Sequence, residues 1–128
     1  MSASIGIGSA ATSYELIVDT GSSTLAVAGS QCTTCGGVTP TYDTATHVAA
    51  GAVSQDYTAS STYESGATWT GGMYQDTVAI DTITVTSMSI VEITTANTGS
   101  NAFFGGDCNN NNPSQNQGIL GCVNKMNK

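Results

Sequence analysis

The sequence predicts an all-β fold, and three observations carry that prediction. Thr, Ser, Gly, Ala and Val dominate the 128 residues while charged residues make up only 9%, a composition that suits half-buried strands and turns better than a helix bundle. Residues 77–86 and 88–94 alternate apolar and polar with period two, the repeat of a strand with one buried face. Turn-forming Gly, Pro and Asn residues separate the apolar runs. The length predicts one domain, spanning residues 1–128. Its apolar share of 39% is enough to build a core rather than leave the chain disordered.

Each element follows in order. Ser4-Ile5-Gly6-Ile7-Gly8 alternates apolar and small residues and reads as a strand, and residues 9–13 read as a turn. Tyr14-Glu15-Leu16-Ile17-Val18 is the next strand, and Leu25-Ala26-Val27-Ala28 the third. Residues 32–41 form a loop, broken by Gly36, Gly37 and Pro40. From Tyr42 onward the text reads as β, with His47 expected in a loop or at the surface and strands over 53–57 and 61–63. Residues 63–78 have the form strand, Gly-bearing tip, strand, which describes a projecting hairpin. The alternating stretches 77–86 and 88–94 are two long strands. Ala102-Phe103-Phe104 is a short strand packed into the core, residues 105–117 a solvated loop, and Gly118-Ile119-Leu120-Gly121 a last buried strand.

Charge narrows the function. Nine acids face two lysines, Lys125 and Lys128, for a net charge of −7, so neither nucleic acid nor an anionic membrane is an expected partner. Once the carboxylates protonate, only those lysines, His47 and the amino terminus stay charged. Self-repulsion in acid is then small, and the chain is expected to resist acid unfolding. Met1-Ser2-Ala3-Ser4 lacks the basic and apolar regions of a signal peptide. No apolar run approaches the length of a membrane span.

The chemistry concentrates at Asp19. The run Leu16-Ile17-Val18 delivers this acid into a tight Thr20-Gly21 turn, followed by Ser22 and Ser23. An acid at the end of a buried strand needs partners to sit there. Gly21 permits the backbone to turn back with its amide facing the carboxylate, and the two serines offer hydroxyls to its oxygens. The expectation is a rigidly held, sheltered carboxylate. Cys32-x-x-Cys35 reads as a local disulfide staple. A zinc site would need a second ligand pair, with only His47 near, and a thioredoxin-like pair would need a βαβ context. No metal or cofactor is expected.

Three stretches in this order resemble the pepsin-like and retropepsin-like aspartic proteases: Ile17-Val18-Asp19-Thr20-Gly21-Ser22, the hairpin from Tyr63 through Gly71-Gly72-Met73-Tyr74-Gln75-Asp76-Thr77-Val78, and Gly118-Ile119-Leu120-Gly121. The resemblance implies a single, N-terminal-like lobe of that fold: a closed or partly open β-barrel with a flap hairpin and a ψ-shaped loop. It implies Asp19 as the catalytic acid, braced by Thr20, Gly21, Ser22, Ile119, Leu120 and Gly121. It implies a flap of Tyr63, Glu64, Ser65 and Gly66 closing over a peptide substrate. Four cysteines suit an oxidising compartment and two disulfides, with Cys32–Cys35 and Cys108–Cys122 expected and the other two pairings left open. A secreted or other oxidising, acidic location follows.

Two departures from the family pattern stand out. Ala26 occupies the position where pepsins usually carry a tryptophan that bonds the flap tyrosine, and Trp69 is the residue that could replace it in part. Peptide hydrolysis of this type also needs two carboxylates sharing a proton, and the chain has one Asp-Thr-Gly. The expected function is therefore an acid-pH aspartic endopeptidase completed by Asp19 of a second subunit in a homodimer, with Thr20 reaching across the two-fold axis. The alternatives are an N-terminal lobe inactive by itself and a noncatalytic binding module on the same fold.

Overall fold

A computed structural model describes residues 2–99, 102–104 and 117–121. Seven strands and one short helix follow one another as β1 (Ser2–Ile7), β2 (Thr12–Asp19), β3 (Leu25–Ala28), α1 (Thr44–Ala49), β4 (Val53–Thr62), β5 (Thr68–Ile80), β6 (Ile83–Ala96) and β7 (Gly118–Gly121). The strands hydrogen-bond in the order β1-β2-β7-β3-β6-β5-β4. A further pairing of Gly6 and Ile7 in β1 with Ala79 and Val78 in β5 closes six of them into a barrel, with β4 added alongside β5. The predicted all-β class and barrel are what the chain adopts.

Strand alternation divides the core in two. Leu25 and Val27 of β3 point into a cluster with Ile5, Ile7, Leu16 and Val78. Ala26 and Ala28 point the other way, against Trp69, Val91, Ile93 and Ile119. All four β3 residues are buried, which is why this strand reads as an unbroken apolar run rather than an alternating one. Each fully buried Ile or Leu contributes about 1.5–3 kcal/mol through removal from water.

The structure corrects several expectations. The stretch after Tyr42 is not β throughout. Asp43 stands at the N-cap of α1, with extended backbone angles, and accepts a hydrogen bond from the Thr46 hydroxyl. His47 is accordingly neither in a loop nor at the surface but buried on this helix. Residues 77–86 are not one strand, because the chain reverses at Asp81, whose positive φ of 53° makes the β5–β6 turn. Ala102, Phe103 and Phe104 lie in no strand, and only Phe104 is fully inside the core. Strand β4 is also continuous where two short strands were expected, with a register shift between Ser54 and Thr58 and Asp56 at φ 60°.

Candidate active site

The site is built where β7 passes between β2 and β3. β7 runs parallel to β2, placing Val18 beside Leu120 and Asp19 beside Gly121. It runs antiparallel to β3, placing Leu120 beside Leu25 and Ile119 beside Ala26. The Gly121 amide donates to the Thr24 carbonyl at 2.9 Å, tying the end of β7 to the turn after the acid. Both glycines are required by this approach. A Cβ on Gly118 would lie 1.9 Å from the Ala26 carbonyl oxygen, and one on Gly121 would lie 2.4 Å from the Thr24 nitrogen.

At the end of β2 the chain turns, and the Gly21 amide donates to Asp19 Oδ1 at 2.9 Å. That bond fixes the carboxylate as the sequence predicts. Ser22 behaves differently. The Ser22 hydroxyl is buried and has no hydrogen-bond partner among the described residues, so it does not reach the acid. Asp19 is half-buried rather than sheltered, and Thr20 and Gly21 are exposed on the face beyond it. The acid opens onto a cleft of about 340 Å³ whose walls include Ile17, Asp19, Tyr63, Ser65, Phe103 and Ile119.

The β4–β5 hairpin roofs this cleft. Its tip spans residues 63–67, where the Tyr63 amide donates to the Ala67 carbonyl and the Gly66 amide to the Tyr63 carbonyl, each at 2.9 Å. Gly66 takes a φ of 92°, a conformation that favours glycine. Tyr63 and Ser65 line the cleft, while Glu64 and Gly66 do not and stand exposed on the tip. The Tyr63 hydroxyl accepts a hydrogen bond from Trp69 Nε1 at 3.0 Å. Trp69 thus occupies the role that Ala26 leaves vacant. The Tyr63 ring also stacks on Phe103, with centroids 5.7 Å apart. Leu120 faces away from the cleft, packed against the barrel interior.

Phe103 is a cleft residue that sequence reasoning placed in the core. Phe103 packs against the same core cluster as Phe104 but also lines the cleft, and the two rings meet edge to face at 4.8 Å. The Cys32–Cys35 disulfide is formed as expected, which leaves no thiolate there for a metal. Cys108 and Cys122 lie outside the described residues, so the second expected disulfide does too.

A second buried polar group lies at the other end of β2. Asp76 Oδ2 accepts from the Tyr42 hydroxyl at 2.8 Å and contacts His47 Nδ1 at 3.0 Å, while Oδ1 accepts from the Thr77 amide at 2.8 Å. Tyr42 stacks on His47 at 3.9 Å, and the Tyr14 hydroxyl lies 3.4 Å from His47 Nε2. Burial, with the Asp76 carboxylate nearby, pushes the Tyr14 phenol up to about 12 and the Tyr42 phenol well above its usual range. Tyr14 precedes Asp19 by five residues on one strand, roughly 17 Å at ~3.4 Å per residue, so this group anchors α1 to the barrel rather than serving the cleft.

A family model described as eukaryotic aspartyl protease matches residues 2–127. Among solved structures, the aspartic proteinase from Irpex lacteus aligns with a TM-score of 0.62 and 26% identity over 94% of this chain. The chain spans 27% of that protein's length. No curated protein sequence matches.

Proposed function

The chain belongs to the eukaryotic aspartyl protease family, and from that premise we propose that it supplies one half of a peptide-hydrolysing site that works in acid. The observation that carries this reading is Asp19 held by the Gly21 amide at the mouth of a cleft roofed by Tyr63. The acid is half of a pair. Two carboxylates at contact distance cannot both ionise, so one stays protonated. The ionised member takes a proton from a bound water, whose oxygen attacks the scissile carbonyl carbon, while the protonated member gives its proton to the carbonyl oxygen. Collapse of the resulting diol breaks the C–N bond and moves a proton to the departing amine.

In this reading the second acid is Asp19 of another copy of the chain. The exposed Thr20 and Gly21 meet their counterparts across a two-fold axis. The described residues act as a single lobe, and the substrate lies extended beneath the flap between Tyr63, Ser65 and the turn. The apolar walls from Ile17, Phe103 and Ile119 favour an apolar substrate side chain beside the scissile bond. A second reading draws on the 27% share of the solved relative: the partner acid belongs to a second lobe, and the chain alone is folded but silent. The disulfide and the acidic composition favour a secreted or other oxidising, acidic location.

The test is cleavage of an unstructured peptide at about pH 3–5, where one acid of such a pair is ionised. The homodimer reading expects a rate per chain that rises with chain concentration and is abolished by Asp19→Asn. Absence of cleavage in a folded monomer, restored by a complementary lobe, supports the second reading. Cleavage that survives Asp19→Asn overturns both.

A further inference from the structure

The ladder between β5 and β6 ends at the pair Trp69–Ala96. One residue further, Asn97 takes over with both its backbone and its side chain. Its amide N–H donates to the Thr68 carbonyl at 3.1 Å. Its Oδ1 accepts from the Thr68 amide at 2.8 Å and from the Phe103 amide at 3.3 Å. Its Nδ2 donates to the Gly66 carbonyl at 3.3 Å. Gly66 belongs to the flap tip, Thr68 begins the return strand, and Phe103 is the ring on which Tyr63 stacks. One carboxamide therefore bridges the roof of the cleft and its aromatic wall. The segment that carries it is itself fixed, because the Ala96 amide donates to Thr34 Oγ1 at 2.9 Å, and Thr34 lies inside the Cys32–Cys35 loop.

Resting on the reading of this cleft as a peptide site, we infer that Asn97 is a positioning residue that sets the flap tip and the Phe103 wall as one unit. The chemistry is specific to the amide. The network needs an oxygen with two lone pairs for the two backbone N–H groups and a donor for the Gly66 carbonyl, and Asn supplies both on one short stem. Aspartate keeps the accepting oxygen but loses the donor and sets a charge against the Gly66 carbonyl. Alanine loses all three side-chain bonds and keeps only the backbone bond to the Thr68 carbonyl. The tip cannot rise without stretching bonds that also hold Phe103, so the separation of Tyr63 and Phe103 is preset before substrate arrives.

The Asn97→Asp variant offers a readout that a residue needed only for folding would not give. A protonated carboxyl carries an O–H and regains a donor for Gly66. Trp69 is the sole tryptophan, and its indole bonds Tyr63, so its emission reports whether the flap tyrosine is docked. For Asn97→Asp the expected result is a shifted Trp69 emission at neutral pH that returns to the wild-type value below about pH 3. Tyr63 and Glu64 on the flap and Asp19 in the cleft face the same region, so the wild-type profile over the same range is the reference. For Asn97→Ala the Thr68 and Phe103 amides should exchange with solvent about tenfold faster or more, while Ile90 in the barrel keeps its protection. In the assembly that cleaves peptides, Asn97→Asp should raise KM more than it lowers kcat, with recovery in acid.

The inference is overturned if Thr68 and Phe103 exchange unchanged in Asn97→Ala, or if the Asn97→Asp emission follows the wild-type profile. Unfolding of both variants also overturns it, since the residue would then hold the barrel and not the flap. Exchange and emission are read without any cleavage. A failure of the Asp19 proposal and a failure of this one are therefore separate results.

Discussion

Trp69 Nε1 donates to the Tyr63 hydroxyl across 3.0 Å, joining two residues of the same hairpin. Trp69 is only 2% exposed and packs in the core against Val91 and Ile93. The flap tyrosine is therefore tethered to the barrel by its own return strand. With the phenol oxygen occupied as an acceptor, its hydrogen remains free to point into the cleft.

Removing that acceptor should be felt in the fold. Tyr63→Phe leaves the buried indole N–H unpaired and should cost about 1–3 kcal/mol, read as a lower urea midpoint with a changed Trp69 emission. An unchanged midpoint and spectrum would mean that the bond contributes nothing.

Gly118→Ala should cost about 3 kcal/mol or more, because the added methyl would meet the Ala26 carbonyl oxygen at 1.9 Å. Gly37→Ala is the control. Its φ of +67° penalises a side chain, but nothing lies within 4 Å, and the expected loss is about 1–2 kcal/mol. Denaturant curves of the two variants should separate these effects, and equal losses would refute the close crossing of β7 and β3.

Asp76→Ala should destabilise the chain by about 1–3 kcal/mol or more, since the Tyr42 hydroxyl, the Thr77 amide and His47 lose a common partner. The expected change is in the urea midpoint; in an assembly that cleaves peptides, cleavage at low denaturant should change far less. A loss confined to activity would instead place this group in the catalytic machinery.

Alkali should destabilise the protein in a defined window. The Tyr14 phenol is raised in the folded chain to about 12, above its unfolded value of about 10. Between those values the folded state binds more protons than the unfolded one, so stability is whole below about pH 10 and falls as pH rises toward 12. Urea unfolding across this range should show that decline, and Tyr14→Phe should flatten part of it. A variant with the wild-type slope would assign the effect to other groups.

Much of this site was legible in the residues because it is written in local chemistry. Asp19-Thr20-Gly21 encodes its own turn, β3 has the bounds that its apolar run predicts, and Gly118 and Gly121 mark a strand pressed between two others. What stayed hidden depends on distant partners. Helix α1 has six residues, too few to show a 3.6-residue repeat. His47 is buried because Asp76, Tyr42 and Tyr14 converge on it from three other segments. The turn at Asp81 left the two-residue alternation intact on both sides, so period alone did not reveal the reversal. Ser22 offered a hydroxyl that the fold buries without a partner among the described residues.

The position of β7 between β2 and β3 also dictates an order of events during synthesis. Leu16–Asp19 leaves the ribosome about a hundred residues before its neighbour Gly118–Gly121, a delay of roughly 5–20 seconds at ordinary elongation rates. Until that late strand arrives, β2 and β3 have a gap where their shared neighbour belongs, and closing so long a loop is slow. The nascent polypeptide therefore carries its acid from the start but can shape the surrounding turn only after Gly118–Gly121 has emerged.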